Sequence, residues 1–279
     1  MRYLILGSSG QIGNALVKHL KNKYHDVITY DIVHDSLQDL RVENRLFDFI
    51  NQQQKIDMVY FLAFDVGGSR YLKKYQNTYD FISNNMKLMT NTFDTLSKLN
   101  LPFIFASSQM SNMDNSCYGI LKNIGEKYTK SLNALVVKFW NVYGIENDLK
   151  KSHVITDFIN QAVSSGKINM LTDGAETRQF LYADDCCECL EILASKYNDI
   201  DKNKNWHISN FKWNSIIDVA NIIKFLIPGI TIHPSINKDD IQNSKHNEPD
   251  ENILKYWKPI TSLESGILNI IQNIKNENK

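Results

Sequence analysis

The chain has 279 residues, 43% of them hydrophobic, and equal numbers of basic and acidic side chains (31 each), so its formal net charge is zero. That length and composition support a full-sized core, in one large unit or in one large and one small; with no basic stripe or charged tail, nucleic-acid binding is not expected. No apolar stretch is long enough to cross a bilayer, and the apolar run in MRYLILGSSG is too short for a secretory leader.

In chain order, residues 2–6 (RYLIL) read as a short buried strand. A glycine turn over 7–13 leads into an amphipathic helix over 11–23, with Ile12, Leu16 and Leu20 on one face. A second strand follows at 26–31, a helix at 41–54 and a buried strand at 58–64. A long helix is predicted over 78–99, a strand over 102–108, a helix from Tyr118 to Ser131 and a strand over 134–140. Strands alternating with helices predict an α/β chain with a doubly wound parallel sheet of Rossmann type. The continuous apolar character of the strands agrees, because parallel strands are buried on both faces. After about Gly144 the pattern changes. Helices over 154–165, 215–227 and 262–275, a strand near INMLTDG and a strand end running into a helix at RQFLYADDCCECLEILASKY predict a smaller α/β lobe. The expected division is 1–144 for the dinucleotide unit and 145–279 for a substrate lobe interleaved with it. Residues 198–205 and 237–252 read as polar loops, the second mobile or ordered only when ligand binds.

Four cysteines are present, Cys117, Cys186, Cys187 and Cys189. The last three crowd one short window, too close for a disulfide framework, and a reducing cytoplasmic setting is expected. No metal is expected: the cysteines lack a spaced further ligand, and His153, His207, His233 and His246 show no ligand spacing. Buried core is the plainer reading of the cysteine cluster. Cys117 is expected to line the pocket as a small side chain, and His246 is a weak candidate for a substrate phosphate. Trp140 is expected to pack near the nicotinamide and Trp257 in the core.

The segment Gly7-Ser8-Ser9-Gly10-Gln11-Ile12-Gly13 joins the first strand to the first helix. Glycines there permit a tight turn and let backbone N–H groups approach a pyrophosphate at the positive helix end. Asp31 closes the second strand, where a carboxylate accepts hydrogen bonds from the adenine ribose hydroxyls and repels a 2′-phosphate. The expected cofactor is therefore NAD rather than NADP. A structural turn with a surface Asp is the plain alternative.

Tyr118 and Lys122 stand four apart on a predicted helix, hence on one face. An ammonium beside a phenol lowers its pKa and lets the phenolate act as a base. Ser108 ends the preceding strand, on the side where a doubly wound sheet carries its site.

The ordered set GSSGQIG, FLAF, ASSQ, YGILK, KFWNVYG, GAETRQFLYADD and KPITSLESGI resembles the extended short-chain dehydrogenases/reductases of the nucleotide-sugar epimerase/dehydratase group, over nearly the whole chain. The resemblance implies catalytic roles for Ser108, Tyr118 and Lys122. It implies a cofactor site of Gly7, Ser9, Gly10, Gln11, Ile12, Asp31, Ile32, Asp39, Leu40, Leu62, Ala63, Tyr118 and Lys122. It implies a nucleotide-diphosphate sugar held by Gly68, Ser69, Ser108, Asn141, Val154 and Arg178, with Arg178 on the diphosphate. An ion pair with Asp184 or Asp185 is the alternative use of Arg178. The helices over 78–99 and from Tyr118 resemble the pair that builds a homodimer interface in this family, or are a plain surface pair.

Several positions depart from the family. The loop between Ser108 and Tyr118 is short, which opens or reshapes the sugar pocket, and Lys138 replaces the usual Arg. Gln109 and Met110 stand where 4,6-dehydratases carry an Asp-Glu pair, so dehydration is disfavoured. The segments VGGS and YDFISNNM resemble the GDP-fucose synthase branch, which makes a GDP-linked sugar an expectation. The expected activity is NAD-dependent oxidation of a sugar C4 hydroxyl, as a 4-dehydrogenase or 4-epimerase serving surface-polysaccharide biosynthesis. An NADPH-dependent 4-keto-sugar reductase and a non-catalytic NAD-binding regulator are the alternatives.

Overall fold

A computed structural model describes residues 1–239 and 247–277. Residues 240–246, His246 with them, lie outside the described residues.

The first half alternates as the sequence predicts. β1 (Arg2–Leu6), α1 (Gln11–Asn22), β2 (Asp26–Tyr30), α2 (Arg45–Asn51), β3 (Met58–Phe61), α3 (Ser69–Tyr75), α4 (Tyr79–Lys98), β4 (Phe103–Ser108), α5 (Cys117–Ser131) and β5 (Leu135–Phe139) follow one another. Then come β6 (Val142–Tyr143), α6 (Val154–Ser165), β7 (Lys167–Asn169), β8 (Thr177–Gln179), β9 (Leu181–Tyr182) and α7 (Ala183–Ser195). β10 (Asn205–Ile208), β11 (Trp213–Ser215), α8 (Ile216–Leu226), β12 (Thr231–His233) and α9 (Leu263–Glu277) complete the chain.

The central sheet runs β10-β5-β4-β3-β1-β2, every adjacent pair parallel. Successive strand residues face opposite sides, and the core divides accordingly. Tyr3, Ile5, Met58, Tyr60, Ile104, Leu135 and Val137 pack with α1 and α7. Leu4, Leu6, Val59, Phe61, Phe103 and Phe105 pack with α2, α4 and α5. Both faces need apolar residues, which explains strands without polar alternation. A separate core joins α6, α8 and α9 through Ile155, Phe158, Ile159, Val219, Ile223, Ile267 and Ile270.

Three differences from the sequence reading bear on the site. β3 stops at Phe61, because residues 62–68 leave the sheet to wall the cleft, and α3 follows as a helix the sequence did not announce. The helix expected over 41–54 shortens to α2, since Asp39 accepts from the Arg41 backbone and side chain and Asn44 turns left-handed (φ 64°). β10 emerges from a polar stretch and pairs with β5, Trp206 opposite Val137. Residues 183–208 therefore return to the first core. Cys186, Cys187 and Cys189 are buried there, on α7 against α1, and burial pushes their thiols well above the ordinary range.

Candidate active site

The strands' C-terminal ends open on a cavity of about 910 Å³ that runs from Asp31 to Arg178. Every side chain and glycine the sequence assigned to catalysis, cofactor or substrate lines it: Gly7, Ser9, Gly10, Gln11, Ile12 and Asp31 at one end, Ser108, Tyr118 and Lys122 centrally, and Arg178 at the other. The remaining assignments, Ile32, Asp39, Leu40, Leu62, Ala63, Gly68, Ser69, Asn141 and Val154, line it as well. Cys117 and Trp140 do not appear on that wall. Trp140 is fully buried and turned toward β10, its Nε1 donating to His207 Nδ1 at 3.1 Å and its ring edge-on to Trp213. The expected contact with the nicotinamide is thus replaced by packing behind β5.

The glycine turn is fixed by close approach. Gly7 has φ +87°, and a Cβ there would lie 2.6 Å from the Ala63 backbone nitrogen. A Cβ on Gly13 would lie 2.1 Å from the Gly7 carbonyl oxygen. Only hydrogen fits, so the start of α1 sits on the turn with its free N–H groups toward the cleft. Asp31 braces this turn: Oδ2 accepts from Ser9 N–H at 2.9 Å and Oδ1 from Val33 N–H at 3.0 Å. Its two oxygens offer about four lone-pair positions, which leaves acceptors for ribose hydroxyls. The cradle shaped by glycines and the carboxylate beside it fit a dinucleotide without a 2′-phosphate.

Tyr118 and Lys122 share one face of α5. Ser116 caps this helix, accepting from Gly119 N–H at 3.1 Å and donating to Gln76 Oε1 at 2.8 Å. The Ser108 hydroxyl, which accepts from Met110 N–H at 3.1 Å, acts on the Tyr118 phenol against the effect of burial. Lys122, 3% exposed, donates from Nζ to the Ala106 carbonyl at 2.7 Å and sits 3.8 Å from the Phe64 ring centre. The electrostatics differ from the sequence reading. Burial pushes Tyr118 up to about 12, with Ser108 opposing, and pushes Lys122 down to about 7, with Glu126 opposing. The ammonium expected to acidify the phenol is itself desolvated and held by a carbonyl and an aromatic face. Charge brought to this pocket by a bound cofactor is what would favour the phenolate.

Arg178 donates to the Thr177 carbonyl and pairs with Asp239, not with Asp184 or Asp185. Asp185 instead accepts from Ile260 N–H, Thr261 N–H and the Thr261 hydroxyl. Asn141 holds a left-handed backbone (φ 32°) that Asn tolerates, and its carbonyl accepts from Leu181 N–H.

Two groups on the cavity wall were missed by sequence reasoning. Glu146 accepts from His153 Nδ1 at 2.6 Å and from its backbone N–H at 2.9 Å. Asp65 takes Lys151 Nζ and the Tyr71 hydroxyl, each at 2.7 Å. Their residue types carry no spacing signal; the fold of residues 146–153 makes the first, and the crossing of residue 65 with residue 151 makes the second. Among the described residues no group of His, Cys, Asp and Glu is placed to hold a metal, and no helix is long and apolar enough to cross a membrane.

A glycine cradle with Ser108, Tyr118 and Lys122 beside it at the carboxyl ends of a Rossmann sheet has the form of a dinucleotide-binding enzyme site. The model of the NAD dependent epimerase/dehydratase family matches residues 3–209, and the chain belongs to that family, an extended short-chain dehydrogenase/reductase with NAD as cofactor. It is 25% identical to UDP-glucuronic acid decarboxylase 1 of Xenopus tropicalis, over 99% of this chain and 72% of that protein. It is also 25% identical to GDP-L-fucose synthase of Sinorhizobium fredii, over 95% and 93% of the two chains. The crystal structure of UDP-glucose 4-epimerase with UDP-glucose from Thermotoga maritima superposes with a TM-score of 0.83 at 18% identity, covering 100% of both chains.

Proposed function

We propose that this enzyme oxidises the C4 hydroxyl of a nucleotide-diphosphate sugar, as an NAD-dependent 4-dehydrogenase or 4-epimerase. One observation carries the reading: a single cavity holds the turn with Asp31 at one end, the Ser108–Tyr118–Lys122 set centrally and Arg178 at the other. Residues 1–144 would supply the cofactor half and part of the sugar wall, and the interleaved 145–279 the rest of the sugar and nucleotide half.

Gly7, Ser9, Gly10, Gln11 and Ile12 bind the pyrophosphate through backbone N–H groups. Asp31, with Ile32, would hold the adenine ribose, and Asp39, Leu40, Leu62 and Ala63 would complete the cofactor's part of the wall. When bound, NAD supplies the two-electron acceptor. Tyr118 would take the proton from the sugar hydroxyl, Ser108 would orient that hydroxyl, and Lys122 would hold the nicotinamide ribose, the phenolate being favoured once the cofactor's charge is present. The sugar loses C4–H with its electron pair and becomes a ketone. Return of the pair to the opposite face gives an epimer; release of the ketone gives a dehydrogenase. Gly68, Ser69, Asn141 and Val154 frame the sugar end, and Arg178 exchanges Asp239 for the diphosphate. Gln109 and Met110 offer no acid–base pair for dehydration.

A GDP-linked sugar and the 4-keto reduction of the fucose-synthase type form a second reading, favoured by the VGGS segment and the relative from Sinorhizobium fredii. A cytoplasmic homodimer through α4 and α5, which stack Phe93 on Tyr128 at 5.1 Å, belongs to the first reading. A non-catalytic NAD regulator leaves the gathering of Ser108, Tyr118 and the buried Lys122 on one cavity wall without use.

The test is a panel of GDP-, UDP-, dTDP- and CDP-sugars followed by NMR for ketone and epimer, with NAD and NADP compared as oxidants and NADH and NADPH as reductants. Turnover of a C4 hydroxyl with NAD is expected, and Y118F is expected to lose it at least a hundredfold while still binding NAD. Full activity in Y118F, or strict use of NADPH, overturns the reading.

A further inference from the structure

We infer that Glu126 is a positioning residue for Lys122, and that Lys138, on the neighbouring strand, competes with Lys122 for the same buried carboxylate. The inference rests on the reading of Lys122 as a site residue given above.

Glu126 lies one helical turn beyond Lys122 on α5, hence on the same face. It is 5% exposed, and each oxygen is engaged. Oε1 accepts from the Ser107 hydroxyl of β4 at 2.5 Å and lies 3.3 Å from Lys138 Nζ of β5. Oε2 accepts from Asn205 Nδ2 of β10 at 2.8 Å. Three strands of the sheet therefore fix this carboxylate beneath the catalytic face. Lys138 is 3% exposed.

One buried ammonium, Lys138, thus contacts this carboxylate, and a second, Lys122, stands one helical turn from it and within its field. A buried charge without a partner costs several kcal/mol, so the carboxylate's field decides which lysine keeps its proton. Among the described residues no carboxylate contacts Lys122: its Nζ meets a carbonyl and the rings of Phe64, Phe105 and Tyr118. Lys138 has a second support, donating to Asn112 Oδ1 at 2.9 Å. That amide continues to Asn247 Oδ1 at 3.2 Å, and Asn247 Nδ2 donates to the carbonyl and side-chain oxygen of Gln109 at 2.6 Å. The hydrogen-bonded chain so returns to the residue after Ser108, and the charge on Lys138 is tied to the backbone that carries the catalytic hydroxyl.

The titratable neighbours are few. Tyr118 and Glu126 of its own helix face Lys122, and β4 offers only the Ala106 carbonyl and the Phe105 ring. Lys138 and His207 act on Glu126's surroundings from β5 and β10; Lys127 and Lys130 of α5 act on Lys138, and Asp250 acts on His207. Burial lowers both lysines and Glu126 raises both, while burial and Lys138 together push His207 down to about 4.

By superposition, removing a negative neighbour lowers Lys122 and removing a positive one raises it. The test uses the full-length protein, with lysine ¹³Cε NMR titrations assigned by K122M and pH profiles of kcat and of NAD affinity. E126Q is expected to move the Lys122 midpoint down by about one pH unit, and the alkaline limb of turnover with it. K138M is expected to move both up by about half a unit. A residue that only supported the fold would lower stability in both variants and shift neither midpoint in opposite senses. Coincident midpoints in wild type and variants, or shifts of one sign, overturn the inference. If E126Q fails to fold, K138M decides alone: an upward shift supports it, an unchanged or lower midpoint overturns it. Full turnover in K122M overturns instead the catalytic reading of Lys122, so the two failures are told apart.

Discussion

At the residue scale, backbone contact decides which glycines are replaceable. G13A would place a methyl group 2.1 Å from the Gly7 oxygen and 2.9 Å from Ser8 Cα, both backbone atoms that cannot rotate away. A loss on the order of 1–3 kcal/mol is expected in a urea melt. G10A meets the Gly7 oxygen at 3.4 Å and is expected to melt within about 1 kcal/mol of wild type while binding NAD more weakly by calorimetry. The Glu146–His153 pair gives a pH prediction. Burial lowers His153, yet Glu146 outweighs it and holds the imidazole above its ordinary 6.5. Burial raises Glu146, yet His153 and Thr156 hold it below the usual carboxylate range. The folded imidazole's pKa is raised, so its contribution is complete below 6.5 and is lost as pH rises through the folded value; the carboxylate's is lost as pH falls through its depressed one. In E146Q the His153 midpoint, followed by NMR, is expected at or below 6.5. An unchanged midpoint would show that the carboxylate is not the cause. Asp31, Ser108, Tyr118 and Lys122 were legible because type and order coincide with a strand–turn–helix frame. Glu146, His153, Asp65 and Lys151 were not, since charged loop residues look alike until the fold pairs them.

Elements were read correctly where a period was strong. β1, α1, α4, α5 and α6 stand within about two residues of expectation, and each has a continuous apolar run or one buried helical stripe. α3 and β10 were hidden for opposite reasons. SRYLKKY buries little beyond Leu72, so its apolar signal is weak. NWHI alternates burial at the sheet edge and follows a polar stretch. Element ends depend on single polar groups, and Asp185 is one of them. This buried carboxylate at the start of α7 accepts three hydrogen bonds from Ile260 and Thr261, which anchors the approach to α9. D185A leaves two backbone N–H groups without their acceptor, and a loss of about 2–4 kcal/mol is expected by chemical denaturation. A melt equal to wild type would mean that water replaces the carboxylate at no cost.

At the scale of the whole molecule, the two halves meet twice by different physics. Behind the sheet they merge: α7 and β10 enter the first core, which no cut near residue 144 separates. Across the cavity mouth they meet through polar contacts that stay partly wet. Gly68 N–H donates to the Lys151 carbonyl at 3.0 Å, Lys151 pairs with Asp65 at 2.7 Å and Arg70 with Asp157 at 3.1 Å. Exposed pairs of this kind contribute below about 1 kcal/mol each, so stability hardly depends on them, whereas the shape of the sugar end does. K151M therefore separates the two roles. It keeps the backbone bond and the stem of the side chain but releases Asp65, which then faces the cavity with only Tyr71 on it. The melt is expected to shift by less than about 1 kcal/mol. KM for the nucleotide sugar is expected to rise several-fold, with kcat and NAD affinity near wild type, because Ser108, Tyr118 and the glycine turn lie on the merged core. Added salt should raise the wild-type KM in the same direction and leave K151M less affected, since screening weakens an exposed pair. A variant that loses kcat at constant KM would place Lys151 at the reacting atoms rather than at the seam between the halves.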